Sequence, residues 1–142
     1  LLGVWRGRGA QKPYQFGHGK GFKTVKWPPT WYRVDAVLDA VSRFPGVWLG
    51  PTAAADDHRS VAELTACLLA YNVDGSGRVV PHSTYRGFDS YEFGQKKNPS
   101  AFATARILAI LRPFACIAAD IRQVDVTRLS SSKGGTGAAL PP

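Results

Sequence analysis

The run at positions 102–111 constrains the fold of this chain more than any other stretch. Only Thr104 and Arg106 interrupt a series of alanine, isoleucine, leucine and phenylalanine residues. A helix through this run presents apolar side chains around nearly its whole circumference, and such a helix is normally buried among neighbours. The sequence therefore predicts a helix that is surrounded by other helices.

Asparagine and proline residues mark the ends of this helix. Asn98 stands before Pro99, and proline is favoured at the first helical position because its missing N–H would have no helical partner there. Pro113 predicts the end of the helix, since proline removes a hydrogen bond and clashes with the preceding turn. We expect a further short helix at 114–123.

Another helix is predicted between two proline-containing breaks, at 28–29 and 45–46. Thr30 is the expected N-cap, because its hydroxyl can accept a hydrogen bond from a free N–H of the first turn. The apolar residues recur at steps of three and four: Trp31, Val34, Leu38 and Val41. The charged residues fall on the opposite face, which we expect to be solvated: Asp35, Asp39 and Arg43. Asp39 and Arg43 lie one turn apart and predict a weak ion pair.

A third helix is predicted to start at Ser60. Ser60 and Glu63 have the spacing of a capping box, in which each side chain satisfies a backbone N–H near the other. The apolar stripe of this helix consists of Val61, Leu64, Leu68 and Tyr71. The helix is expected to end in the segment 72–78, because Gly75 and Gly77 allow turn conformations that residues with a Cβ disfavour.

These elements predict an all-α fold of antiparallel helical hairpins, since no segment of useful length alternates with the period of a strand. We expect three regions. Residues 1–30 form a basic segment rich in glycine and aromatic residues, with loop or extended structure. Residues 31–123 form the helical domain, and residues 124–142 form a disordered tail, because their apolar surface is too small to offset the entropy of ordering.

The charge of the chain favours anionic partners. The formal net charge is +8, and no acidic residue precedes Asp35. Such a positive field can attract nucleic acid, anionic lipid or a phosphorylated metabolite. A phosphate-binding P-loop is excluded at "FGHGKGF", because Gly21 follows Lys20 where the motif requires serine or threonine.

Several features bear on the cellular location. Cys67 and Cys116 each lie in an apolar helical run and are expected to be reduced core residues. No export signal is recognisable, so we expect a cytoplasmic protein. No membrane span is expected either, since charged residues and a proline interrupt the apolar region 101–121. The sequence lacks methionine and opens on Leu1, which favours a piece of a longer protein.

Three stretches carry a resemblance to a known group of proteins. They are "PYQFGHGKGFKTVKW", "KWPPTWYRVDAVLDAVSRFPGVW" and "NVDGSGRVVPHSTYRGFDSYEFGQKKNPS". Together they resemble the C-terminal part of bacterial proteins with squalene-cyclase or prenyltransferase-like helical repeats, over residues 12–112. The resemblance implies nested rings of helices, an α/α toroid, of which this chain is a part.

The same resemblance implies loops with a Gln-x-x-Asp-Gly-x-Trp theme that tie helices together. Segment 72–78 keeps Asp74 and Gly75 but has Asn72 and Arg78 where glutamine and tryptophan are expected. It therefore looks like a degenerate copy of that loop. Hydrogen bonds from such a loop can satisfy backbone groups left free at helix ends.

The catalytic motifs of these families are missing from the chain. The Asp-x-Asp-Asp acid of the cyclases has its nearest counterpart at 54–57, where the first acid is an alanine. The zinc ligands of the prenyltransferases have no recognised spacing here among the candidate residues Asp57, His58, Cys67 and His82. We therefore expect no metal, no cofactor and no catalysis by this chain alone.

The stretch "FGQKKNPSAF" is the main candidate for a ligand site. If a helix starts at Asn98, the preceding lysines lie beside its positive end, where free N–H groups attract an anion. The predicted anion site consists of Gln95, Lys96, Lys97, Lys20, Lys23 and Arg86. The adjoining apolar cleft is predicted to consist of Trp31, Tyr85, Phe88 and Tyr91. In the alternative, Gln95 only bonds to loop carbonyls, Asn98 caps the helix and both lysines point into water.

Three functions stay open at this point. The first is a toroid-like portion that contributes to a cleft for an isoprenoid or another phosphate-bearing ligand and packs against missing N-terminal repeats. The second is a nucleic-acid-binding module, in which basic residues neutralise phosphates and aromatic rings stack on bases. The third is a purely structural segment that binds no ligand.

Overall fold

The computed structural model describes residues 1–11, 16, 19–29 and 32–130. The chain is mostly helical, with 59% helix and 4% strand, which confirms the all-α class. The helices are α1 (Leu2–Gln11), α2 (Gly19–Lys23), α3 (Val34–Ser42), α4 (Ala55–Asn72), α5 (Ala101–Leu111) and α6 (Ala118–Arg122). Turns of 3₁₀ helix occupy Pro45–Val47, Glu92–Gly94, Arg112–Ile117 and Arg128–Ser130. Two short strands, β1 (Lys26–Trp27) and β2 (Ser83–Thr84), pair in parallel.

Helix α4 is the centre of the molecule, and α1, α2, α3 and α6 pack against it. It starts at Ala55, so the predicted capping box is wrong. Ser60 lies inside the helix, where its Oγ donates to the Asp56 carbonyl at 2.6 Å. Glu63 instead accepts a hydrogen bond at 2.8 Å from the indole N–H of Trp5. Glu63, which the local sequence pattern assigned to a capping box, therefore contacts a residue that is distant in sequence.

The N-terminal segment, which was predicted to be loop or extended, contains α1 and α2. Trp5 and Phe22 are fully buried, and their rings stack at a centroid distance of 5.6 Å. The guanidinium of Arg8 lies 3.6 Å from the centre of the Trp5 ring. Arg6 forms an ion pair with Asp57 in the first turn of α4. Some of the basic residues of this segment thus make contacts within the fold. A few large aromatic residues anchor helices that have no apolar periodicity.

Helix α3 starts at Val34, and the predicted cap Thr30 lies outside the described residues. The ion pair between Asp39 and Arg43 is confirmed, at 3.3 Å. Asp35 is not on a solvated face as predicted. It is 1% exposed and forms a bidentate ion pair with Arg33, which is also 1% exposed, with two contacts of 3.1 Å from Nη2. The helix packs against both α4 and α5, so its acidic first turn is enclosed.

The segment 72–78 forms a compact turn at the C-terminal end of α4. Oδ1 of Asp74 accepts hydrogen bonds from the hydroxyl and N–H of Ser76 and from the N–H of Arg78, and these bonds lower the pKa of Asp74. Beyond the turn, Val79 donates its N–H to Oγ1 of Thr104 at 2.9 Å. The Val79 carbonyl accepts from Ser100 N–H at 2.9 Å. Val79, directly after the turn, therefore holds the N-terminal end of α5.

Helix α5 begins at Ala101 with Ser100 as its N-cap, and not at Asn98. Ser100 Oγ accepts from Ala103 N–H at 2.9 Å. The described residues cover only one side of α5, so the predicted full enclosure is wrong for this part of the chain. The buried positions are Ala103, Ile107 and Ile110. Phe102 and Leu108 are 50% and 59% exposed.

The region after α5 contains two further corrections. Cys67 is buried as predicted, but Cys116 is exposed. Residues 124–130 were predicted to be disordered, yet they end in a 3₁₀ turn, and Leu129 is buried in the core. Val124 and Val126 pack against the same core, so apolar residues at every second or third position were sufficient to attach this segment. The rest of the predicted tail lies outside the described residues.

Candidate functional site

The loop before α5 is held by hydrogen bonds of its own side chains. Gln95 donates from Nε2 to the carbonyls of Asp89, at 2.5 Å, and Tyr91, at 3.4 Å. The interpretation of Gln95 as a residue that closes the loop therefore has direct support. Lys97 adopts a φ of 68°, and its N–H donates to the Pro81 carbonyl at 3.0 Å. A positive φ is uncommon for a residue with a side chain, so contacts within the fold hold this conformation.

The positive end of α5 is occupied by a carboxylate of the chain itself. Glu92 accepts hydrogen bonds from the Ser100 hydroxyl at 2.7 Å, from Ala101 N–H and from Phe102 N–H at 3.4 Å. A helix N-terminus attracts negative charge because its first N–H groups lack partners within the helix. The carboxylate of Glu92 therefore lies at the helix N-terminus, where the sequence predicted an anionic ligand.

The cations predicted for the anion site lie in different surroundings. Lys96, Lys97 and Arg86 are exposed. Lys23 is 8% exposed, and its Nζ lies 5.0 Å from the centre of the Tyr71 ring beside α4. Lys20 lies in α2, but its side chain is outside the described part of the structure. The prediction that these residues share one ligand stays a prediction.

Two of the predicted cleft residues belong to a larger aromatic cluster. Phe88 and Tyr91 have ring centroids 5.8 Å apart, and Tyr91 stacks on Phe93 at 5.2 Å with an interplanar angle of 17°. Phe102 joins them, with its ring centroid 5.0 Å from Phe93 and 5.4 Å from Trp27. The sequence reasoning missed Phe93, Phe102 and Trp27, although their aromatic character was visible.

Tyr85, a third predicted cleft residue, contacts a lysine of β1. Tyr85 lies under Lys26, whose Nζ is 3.8 Å from the ring centre, and its N–H donates to the Trp27 carbonyl at 3.3 Å. It therefore neighbours the cluster through the backbone of β1. Trp31 lies outside the described residues.

An apolar groove that sequence reasoning did not predict lies between α4 and the segment from α5 to α6. Its volume is about 640 Å³. The lining residues are Thr65, Leu69, Leu108, Ala109, Leu111, Arg112, Phe114, Ala115, Ala118, Ile121 and Arg122. Arg112 and Arg122 are exposed, so two guanidinium groups stand beside an otherwise apolar wall. The spacing of apolar residues in 102–121 indicated a helix but not which side would remain uncovered.

The described lining of the groove lacks the groups that acid–base, nucleophilic or metal chemistry requires. Its lining contains no aspartate, glutamate, histidine or cysteine, and the Thr65 hydroxyl donates to the Val61 carbonyl at 2.8 Å. No group of three or more potential metal ligands was found among the described residues. Cys67, in the same helix as Thr65, is fully buried, and burial raises the pKa of its thiol to about 11, which favours the protonated thiol at neutral pH. The arrangement is suited to binding.

The segment Ala101–Arg122 also meets the length and composition of a membrane-crossing helix. It has 22 residues, and its most apolar window has a mean hydropathy of 1.6 and is 28% buried. In the described part of the chain, this is the single stretch that does so.

Comparisons of the chain with protein-family models, curated proteins and solved structures found no match.

The role of Glu92 can be tested by substitution. We expect Glu92→Ala to lower the free energy of unfolding by about 1–2 kcal/mol, because the Ser100 hydroxyl and two N–H groups of α5 lose their acceptor. Glu92→Gln keeps an acceptor oxygen and should lose less. Urea denaturation measures both, with Asp89→Ala as the control at an exposed acid of the same loop.

The same variant tests the predicted anion site. With Glu92 removed, inorganic phosphate should raise the stability of Glu92→Ala more than that of the wild type, since N–H groups of α5 become free. An equal response of both proteins to phosphate would contradict an anion-binding N-terminus.

Proposed function

We propose that this chain is the C-terminal helical portion of an α/α-toroid protein similar to terpenoid cyclases and prenyltransferases. In this proposal its antiparallel helical hairpins form one wall of a cleft that binds an amphipathic anion with an isoprenoid-like chain. The chain binds this ligand without catalysing a reaction by itself. The main observation in favour of this ligand is the apolar groove with two arginines at its wall.

The groove matches such a ligand in size and chemistry. Its volume of about 640 Å³ falls within the roughly 300–1,000 Å³ of small-molecule sites. Leu108, Leu111 and Phe114 offer apolar contacts along the lining. Arg112 and Arg122 provide the planar guanidinium groups that recognise phosphate by paired hydrogen bonds. An apolar chain with a phosphate head satisfies both kinds of surface.

A second apolar area supports the proposed contact with further helical repeats. A depression of about 400 Å³ lies between the start of α1 and the end of α3. Beside it Leu1, Phe44 and Val47 are 58%, 64% and 50% exposed. Contiguous exposed apolar side chains mark interaction surfaces. We place the missing N-terminal repeats against this area.

The ligand proposal is tested by calorimetric titration with three compounds. Farnesyl diphosphate carries both parts of the proposed ligand, farnesol only the chain and pyrophosphate only the head. We expect farnesyl diphosphate to bind more tightly than either part. Ala115→Trp should reduce its affinity at least about tenfold, because a buried indole adds about 150–250 Å² of ring surface to the space that the chain would occupy.

Matched variants locate the site. Ala119→Trp places the same ring on an exposed position that does not line the groove, and it should bind like the wild type. The double variant Lys96→Ala, Lys97→Ala changes the loop site instead. Loss of farnesyl diphosphate binding in that variant, with binding retained in Ala115→Trp, would refute the groove and favour the loop.

A further inference from the structure

The surface of Ala101–Arg122 is unusually apolar for a segment that is mostly exposed. Only 28% of its most apolar window is buried, at a mean hydropathy of 1.6. The exposed apolar residues are Ala101, Phe102, Ala105, Leu108, Ala109, Pro113, Ala115, Cys116 and Ala119. They are distributed along the whole segment, from α5 through the following 3₁₀ turn to α6, and we refer to them together as the exposed face. Soluble domains rarely leave such a face uncovered.

The charges on this face are mainly positive. Arg106, Arg112 and Arg122 are exposed along the segment. Its single acid, Asp120, contacts Nε2 of His58 at 2.9 Å. Arg106 contacts Asp39 at 3.5 Å, whereas no carboxylate of the described residues lies within ion-pair distance of Arg112 or Arg122. The partner of this face therefore has to offer apolar surface together with negative charge.

An anionic lipid bilayer offers both at once. Acyl chains accept small apolar side chains at shallow depth, while lipid phosphates attract arginines beside them. A second copy of this chain would bring the same arginines into its own interface, where like charges repel. A membrane-spanning orientation is disfavoured, because Arg106, Arg112 and Asp120 would have to enter the hydrocarbon.

We propose that the face formed by the exposed residues of Ala101–Arg122 docks flat on an anionic membrane surface. Phe102 and Leu108 enter the interface, and Arg112 and Arg122 bind lipid phosphates. The face includes Leu108, Arg112 and Arg122, which also line the groove. Docking on a membrane nevertheless requires no ligand in the groove.

Vesicle sedimentation with the full chain tests the inference. We expect the protein to pellet with vesicles of equal parts phosphatidylcholine and phosphatidylglycerol, and not with phosphatidylcholine alone. Raising the salt from about 0.1 M to 1 M shortens the screening length from about 10 Å to 3 Å and should release most of the protein. Absence of binding to the anionic vesicles, or equal binding to both compositions, would overturn the proposal.

Two pairs of variants separate the apolar and the charged contributions. Ala105→Glu should lower the vesicle partition coefficient about tenfold or more, whereas Ala55→Glu, at an exposed alanine of α4, should not. Arg112→Gln with Arg122→Gln should lower it about 10- to 30-fold, whereas Arg59→Gln with Arg78→Gln removes the same charge elsewhere. Circular dichroism confirms that each variant is folded. Equal losses in test and control variants would contradict the assignment of this face.

Two further results distinguish the competing explanations. Conversion of a dimer to a monomer by Ala105→Glu in sedimentation velocity would show that a second copy covers the face, and would refute the membrane. A chain that binds farnesyl diphosphate but no anionic vesicles overturns this inference and leaves the proposed function standing. A chain that binds anionic vesicles but no farnesyl diphosphate leaves this inference standing.

Discussion

Asn72→Leu is expected to lower the free energy of unfolding by about 3–5 kcal/mol. Asn72 is 2% exposed at the end of α4. Its Oδ1 accepts from Val25 N–H at 2.5 Å, and its Nδ2 donates to the carbonyls of Lys23 and Leu68, each at 2.8 Å. Leucine has nearly the same volume but leaves the Val25 N–H and the Lys23 carbonyl buried without a partner, and each such group costs about 1–3 kcal/mol.

Two comparisons make this prediction specific. Asn72→Asp keeps an oxygen that accepts from Val25 N–H. It replaces the donating Nδ2 with a second oxygen that faces two carbonyl oxygens, so this variant should also be strongly destabilised. Asn98→Leu changes the chain's other asparagine, which is exposed in the loop before α5, and should stay within about 0.5 kcal/mol of the wild type. Urea denaturation measures all three. A loss below about 1 kcal/mol in Asn72→Leu would mean that this amide does not join α2 to α4.

Breaking the buried ion pair between Arg33 and Asp35 should have a similar effect. Both residues are 1% exposed, and no hydrogen-bond partner was found for Nη1 of Arg33 among the described residues. Asp35→Ala leaves the guanidinium buried without its counter-charge. We expect it to lower the free energy of unfolding by about 3–5 kcal/mol.

The double variant Arg33→Met, Asp35→Leu supplies the decisive comparison. It removes both charges and keeps side-chain volume, so its stability should equal or exceed that of the wild type, by up to about 4 kcal/mol. The exposed pair Asp39 and Arg43 is the control, where a double-mutant cycle should give a coupling below about 1 kcal/mol. If the double variant at 33 and 35 is as unstable as Asp35→Ala, the cost comes from lost packing and not from an isolated charge.

The sequence predicted the helices best where apolar residues recur with the helical period. Helices α3 and α4 lie where such stripes occur and α5 lies where apolar residues are nearly continuous, since burial of apolar surface stabilises a helix whatever its neighbours are. Their ends were predicted less well. Ser60 with Glu63 has the pattern of a cap, but the acids at the start of α4 extend the helix to Ala55. Helix α1 was missed because Trp5 supplies much of its buried surface from a single position.

The candidate site was predicted only in part. Gln95, Phe88 and Tyr91 could be selected because polar and aromatic residues beside a helix start are recognisable in the chain. The contact of Glu92 with the start of α5 could not be predicted, because other acidic residues were equally good candidates for it by sequence. The positions of the groove and of the exposed face of α5 depend on tertiary packing, because α3 and α4 cover only one side of the segment from α5 to α6.

Local composition and periodicity were enough to require helices, to place most of them and to make the molecule basic. Pairings between distant segments were decided by packing alone, because each buried donor takes the acceptor that the assembled chain brings within reach. Asn72 meets Lys23 and Val25 across nearly fifty residues in this way. The same packing covered one side of α5 and left its apolar side open, which no residue pattern within α5 could specify.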